Sequence, residues 1–277
     1  MKQVLKYCIR KIQFSIIDVV HPRAIKLFWF KGKHNFGDAI NPFLLESLTH
    51  QKVVWVEPEF YNKKNYLAIG SILERASSHT IVWGSGFISE EGKCINPPYE
   101  VCAVRGPLTR RLLLQANIAC PEVYGDPALL LPQIYHPKIE KKYALGIIPH
   151  FVDKDNSWLE QFKNNEKIKI LDIQEENVYH FIDMLLECES VASSSLHGLI
   201  VADAYGIPST WIEFSDKVIG NGFKFLDYFA SVGREDSKPF KINTGVKIED
   251  IHAQFYAYKI NIDLDTLVQA FPLKREV

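Results

Sequence analysis

The sequence predicts an α/β chain of two parallel-sheet domains facing one cleft, and three observations carry that prediction. A unit of short apolar run, glycine-bearing loop and helix-like stretch recurs along the first half. A turn-rich, charged break at Leu131–Lys142 is followed by a second series of the same kind. The length, 277 residues, exceeds one compact core and falls short of three. The expected boundaries are an amphipathic N-terminal helix over 1–22, a first domain over 23–140 and a second over 141–277.

Residues 1–20 set Lys2, Lys6, Arg10 and Lys11 among Val4, Leu5, Ile9, Ile12, Ile16 and Ile17. That basic amphipathic pattern fits a helix packed on the domain or one lying on an anionic membrane surface. Ala24–Phe30 is rich in strand formers and leads through Lys31–Gly37 into a helix from Asp38 to Leu48. The unit recurs as Thr80–Trp83 before Gly84-Ser85-Gly86, as Val101–Val104 before Arg105-Gly106-Pro107 and a leucine-rich helix, and as Val123-Tyr124 before Gly125-Asp126-Pro127. Past the break come strands at Tyr143–Ile148, Lys167–Asp172, Ser190–Ala192 and Thr210–Glu213, with helices at Asn177–Cys188 and Leu196–Tyr205. Alternation of this kind makes each half Rossmann-like. Ile248–Phe271 reads as helical and is expected to return to the first domain.

Composition narrows the function classes. Lys plus Arg number 32 against 33 Asp plus Glu, so no global basic field attracts a polyanion and nucleic acid is not an expected partner. The five cysteines are scattered and form no C-x-x-C pair, which points to a reduced, cytoplasmic chain without a zinc knuckle. No uncharged apolar run approaches the roughly 20 residues of a membrane span. Neither a dinucleotide fingerprint nor a P-loop is present.

In parallel sheets ligands bind beyond the carboxyl ends of the strands, so the strand-to-helix loops are where chemistry is expected. Ser193–Gly198 brings three hydroxyls and His197 to a helix start, where a serine either caps the helix or binds a ligand. His197 in the first turn is suited to proton transfer. Arg105 is either a surface ion pair or a fork of donors for a carboxylate or phosphate. Asn35 and Asp38 flank a glycine at another helix start, Asp126 sits in a turn, and His150 ends a strand. Lys224 and Asp227 lie in an aromatic frame that is either a packing element or a phosphate-binding arm.

Taken in order, Asn35–Asp38, Gly84–Gly86, Val104–Pro107, Gly125–Pro127, Ile148–His150 and Ser194–Gly198 with Ala204–Pro208 resemble the polysaccharide pyruvyl transferases. Lys224–Tyr228 resembles the bacterial exopolysaccharide branch of that family. The resemblance implies a GT-B-like fold and transfer of the enolpyruvyl carbons of phosphoenolpyruvate to two sugar hydroxyls as a cyclic ketal. It implies no metal and no cofactor beyond phosphoenolpyruvate as donor. His197 matches the family's essential histidine and is expected as general acid/base, with Arg105 anchoring the donor and the helix starts after Gly37 and Ser195 sharing the anion. Asn35, Asp38, Gly84, Ser85, Gly86, Asp126, His150, Ser194, Ser195, Gly198 and Lys224 are the expected substrate-binding residues. Some members carry an arginine where this chain has Ser195, and Lys224 is the expected replacement. A lipid-linked oligosaccharide acceptor would place the chain on the inner membrane face through residues 1–20. The competing reading is a GT-B glycosyltransferase using a nucleotide sugar.

Overall fold

A computed structural model describes residues 16–273 together with Arg10 and Phe14. Most of the expected amphipathic helix over 1–22 therefore lies outside the described residues; residues 16–20 are helical. Asp18 receives the Tyr61 hydroxyl at 2.6 Å, and Phe14 packs against Trp55 and Tyr61.

Among the described residues, ten strands form two parallel sheets. The first contains β1 (Ile25–Phe28), β2 (Val53–Trp55), β3 (Asn65–Leu67), β4 (Thr80–Trp83) and β5 (Glu100–Ala103) in the order β2-β1-β3-β4-β5. The second contains β6 (Leu145–Ile148), β7 (Ile168–Ile170), β8 (Val191–Ser193), β9 (Ser209–Glu213) and β10 (Phe240–Lys241) in the order β10-β9-β8-β6-β7. β1, β4 and β6 are buried along their whole length, as expected of strands covered on both faces. The chain is thus α/β, with two Rossmann-like sheets.

The strand order reverses between β1 and β3 in one sheet and between β6 and β8 in the other, and ligands of open parallel sheets bind at such points. The segment after β1 meets those after β7 and β8. Helix α1 (Phe36–Thr49) follows β1, its Phe36 N–H donates to the Ile173 carbonyl at 2.8 Å, and the Phe36 ring stacks on Phe181 at 4.0 Å. One hydrophobic core runs continuously from Leu27 and Ile40 of the first sheet layer to Ile148, Phe181 and Leu199 of the second. Burying each such side chain contributes about 1.5–3 kcal/mol.

Local chemistry explains α1 despite a proline inside it. Pro42 cannot donate to the Asp38 carbonyl; the buried Asn41 amide turns towards that oxygen at 3.4 Å. Asn41 also pairs with both backbone groups of Ile69, which ties α1 to the loop after β3. Among the described residues the other long helices are α2 (Pro107–Gln115), α3 (Val178–Leu186), α4 (Leu196–Ala204) and α5 (Phe223–Val232).

Two expectations need correction. Val123-Tyr124 contributes a single parallel bridge to Val104 rather than a strand. Ile248–Phe271 is two short helices, Ile248–His252 and α6 (Leu264–Gln269), because Tyr258 between them turns to the buried Asp203 and Arg234. The Tyr258 hydroxyl bonds Asp203 at 2.5 Å and receives Arg234 at 2.9 Å, interactions a continuous helix would forfeit. α6 packs on the first sheet's layer, where the Leu267 carbonyl accepts from the Trp83 indole at 2.8 Å.

Candidate active site

Three side chains from three elements converge where the two sheets' carboxyl ends meet. His197 stands in the first turn of α4, directly after β8. Its Nδ1 edge lies against Gly37 of α1 so closely that a Cβ there would sit 2.0 Å from Nδ1. Its Nε2 faces Oδ2 of Asp126 at 3.8 Å. Asp126 is fully buried and caps the turn Pro127–Leu130 through Oδ1, which accepts from the Ala128 N–H at 3.0 Å. Among the described residues, neither Nε2 nor Oδ2 has a hydrogen-bond partner. Two facing buried polar atoms left in that state belong to a site built for a ligand or a moving proton, not to packing.

The third group is Lys224 in the first turn of α5, half-buried with its ammonium 5.5 Å from the Phe225 ring centre. Burial first, and then the Arg105 charge, lower its pKa to about 8. Its own charge reaches both His150 and His197. Burial first, with Lys224 and for His197 also Arg105, pushes both imidazoles down to about 3, so both are neutral near pH 7. Burial raises Asp126 and Asp38 to about 7, against the opposing pull of their backbone N–H donors. The centre is therefore poor in negative charge and carries a cation at its edge. No side chain caps the start of α4, so its dipole adds to that positive field.

The chain matches the family model of the polysaccharide pyruvyl transferases over residues 10–216. The chain belongs to that family. It is 31% identical over 259 residues to the uncharacterized protein L143 of Acanthamoeba polyphaga mimivirus, covering 90% of this chain and 88% of that one. It is 26% identical over 219 residues to the succinoglycan biosynthesis protein ExoV of Rhizobium meliloti, covering 76% of this chain and 65% of that one. A solved structure of an uncharacterized Klebsiella pneumoniae protein aligns with a TM-score of 0.46 and 14% identity, over 85% of this chain and 99% of that one.

In this pyruvyl transferase family member, the residues expected at the site separate into two groups. His197 lies between Asp126 and Gly37 and feels the charge of Lys224, as does His150, whose backbone N–H donates to Ser194 Oγ at 2.8 Å. Gly198 lies against Ser193 and Gly84 against Pro127, where a Cβ would collide. Arg105, expected as the donor's anchor, is instead 0% exposed and gives its donors to Asp227, Ser71 and the Phe87 carbonyl at 2.6–3.0 Å. Its charge acts on the site; its guanidinium holds the fold. Ser85 likewise spends its hydroxyl on the Gly70 carbonyl at 2.8 Å. Asn35 caps α1 through the Gly37 N–H, and the next two N–H groups end on its carbonyl, so the start of α1 is not open to an anion as expected. Ser195 stands at the cap position of α4 without capping it; the neighbouring Ser193 hydroxyl receives the Ser195 N–H and donates to its carbonyl.

The partner of Arg105 is Asp227, which the sequence offers only as part of a packing element or a phosphate-binding arm. Asp227 is fully buried and accepts from Arg105 Nε at 3.0 Å, the Thr109 N–H at 2.9 Å and the Thr109 hydroxyl at 2.7 Å. Gly106 exists for this approach, since a Cβ there would lie 1.9 Å from the Asp227 carbonyl oxygen. Asp227 sits one helical turn after Lys224, so the buried pair fixes the arm that carries the lysine. The spacing Lys-x-x-Asp was the available signal.

Proposed function

We propose that this chain transfers the pyruvyl group of phosphoenolpyruvate to two hydroxyls of a sugar in a polysaccharide or lipid-linked oligosaccharide precursor, forming a cyclic ketal. Family membership supports the reaction class. The observation that carries the reading is His197, neutral and unpaired at Nε2, beside the uncapped start of α4 and within the field of Lys224.

Each requirement of the reaction has a group to meet it. The donor's phosphate and carboxylate need cationic and N–H partners, and Lys224 and the start of α4 are the candidates for that role. Protonation of the donor's methylene carbon leaves an oxocarbenium-like centre, and one sugar hydroxyl attacks it while losing its proton. Phosphate then departs, and the second hydroxyl closes the ring and gives its proton to phosphate. His197 supplies and recovers the first proton, a role worth roughly 10²- to 10⁴-fold in rate.

The test combines calorimetric binding of phosphoenolpyruvate with phosphate release in the presence of galactosyl, glucosyl and mannosyl glycosides. Binding and acceptor-dependent release that collapses in His197→Ala is expected. Absence of phosphoenolpyruvate binding, with binding of a nucleotide sugar instead, would sink the reading.

We place the acceptor at a membrane surface, supported by the exposed Ile16, Val19 and Val20 that continue the basic amphipathic segment. Among the described residues no helix is long and apolar enough to cross a membrane. A chain lacking residues 1–20 is expected to lose co-sedimentation with anionic vesicles, and undiminished co-sedimentation contradicts the idea.

A further inference from the structure

We propose that Asp126 stores the proton that His197 delivers, the two forming a relay whose inner half is Oδ2 of Asp126 facing Nε2 of His197 at 3.8 Å. The inference deepens the proposed pyruvyl transfer and rests on that reading for its catalytic part.

The geometry leaves few alternatives for these atoms. Both are buried, each lacks another partner among the described residues, and they face each other from different elements. Oδ1 of Asp126 is held by the Ala128 N–H, so the carboxyl cannot turn away without opening that cap. The imidazole is held between Asp126 and Gly37, so Nε2 points inward and Nδ1 towards the α1 side. The 3.8 Å gap is longer than a hydrogen bond, as is common for catalytic pairs before substrate tightens them.

Burial dictates where the proton rests. Asp126 holds a proton up to about pH 7, whereas His197 takes one only near pH 3, so the resting pair is a carboxylic acid and a neutral imidazole. The charges that reach the pair are Arg105, which opposes protonation of both, and Lys224, which acts on His197; Asp38 follows Gly37 on α1. With Asp126 protonated on Oδ2, Nε2 faces the acid's O–H across 3.8 Å, and the tautomer that presents a lone pair there carries its hydrogen on Nδ1.

The step balances. Asp126 gives its proton to Nε2 as Nδ1 gives its own to the methylene carbon of the donor, leaving a carboxylate and the other imidazole tautomer. The first sugar hydroxyl then gives its proton to Nδ1 as it bonds to the cationic carbon, and Nε2 returns its proton to Asp126. Asp126 touches no substrate in this scheme and acts through His197.

The inference is tested in two arms. In the ligand-free wild-type chain, ¹⁵N NMR of the imidazoles is expected to show His197 as the Nδ1–H tautomer at pH 6. The Nε2–H tautomer would overturn the relay. In the second arm, Asp126→Asn keeps the cap, and kcat is expected to fall at least about 100-fold. KM for phosphoenolpyruvate should stay within about threefold, and the alkaline limb that Asp126 sets near pH 7 in the kcat profile should disappear. Turnover within about threefold of wild type, or an unchanged pH profile, would overturn it as well. If the wild type released no phosphate from phosphoenolpyruvate with any acceptor, pyruvyl transfer itself would fail, and the tautomer measurement would still judge the Asp126–His197 pair.

Discussion

His150 and His197 are neutral in the folded chain while Asp38 and Asp126 hold protons to about pH 7, and these opposed shifts govern how stability depends on pH. Below pH 6.5 the unfolded histidines bind protons the folded ones refuse, so each favours unfolding as pH falls towards 3. Above 3.8 the unfolded carboxyls release protons the folded ones keep, so each favours unfolding as pH rises towards 7. Two terms of each sign offset between these limits. Asp126→Asn removes one carboxyl term, so its stability should rise more steeply than wild type's between pH 4 and 6.5, by up to about 1.4 kcal/mol per pH unit. Urea melts across that range measure the slope, and parallel curves would show that Asp126 is ionised in the folded chain. Lys224 gives a second residue-scale prediction. Affinity for phosphoenolpyruvate should fall as pH rises through about 8, and Lys224→Arg should remove that fall. A pH-independent affinity in wild type would exclude the lysine as an anchor.

α5 is the element on which the site depends most indirectly. It belongs to the second half of the chain, yet Asp227 fastens it to Arg105 and Thr109 of the first. Removing one member of a buried ion pair leaves the other uncompensated, so Asp227→Ala should cost about 3–5 kcal/mol. Joint replacement of Arg105 and Asp227 by apolar residues of similar volume should cost less than either single change in denaturant melts. Additive losses would mean that the ion pair is not the connection. Gly106→Ala should resemble the Asp227 change, because its Cβ meets backbone that cannot yield. The elements themselves were legible in the sequence to differing degrees. β1, β4 and β6 were readable as apolar runs bounded by glycine or turn residues. β2 and β3, three residues each, were not readable, whereas the equally short β7 and β8 were, because Lys167–Asp172 alternates lysine with isoleucine and Ser190–Ala192 runs straight into the serine loop. The break in Ile248–Phe271 was invisible because Tyr258 answers to Asp203 and Arg234, residues distant in sequence.

At the scale of the whole molecule, one core joins both sheets, with Phe36 stacked on Phe181 at its centre. Calorimetric unfolding should therefore show one cooperative transition, and two resolved transitions would mean that the halves are stable alone. The sequence points to the strand-to-helix loops because parallel sheets bind ligands at the carboxyl ends of their strands, and His197 and Asp126, named there as candidates, face each other in the structure. It could not distinguish a guanidinium facing the cleft from one sealed beneath it, since the carboxylate that decides the matter for Arg105 lies 122 residues away. The most direct measurement is the ketal product of phosphoenolpyruvate and a glycoside acceptor formed in D₂O, analysed by mass spectrometry. A methyl group bearing a single deuterium in wild type, with no product from His197→Ala, is the expected result. A ketal whose methyl carries no deuterium, or one that forms undiminished without His197, would contradict proton delivery to the donor's carbon by this site.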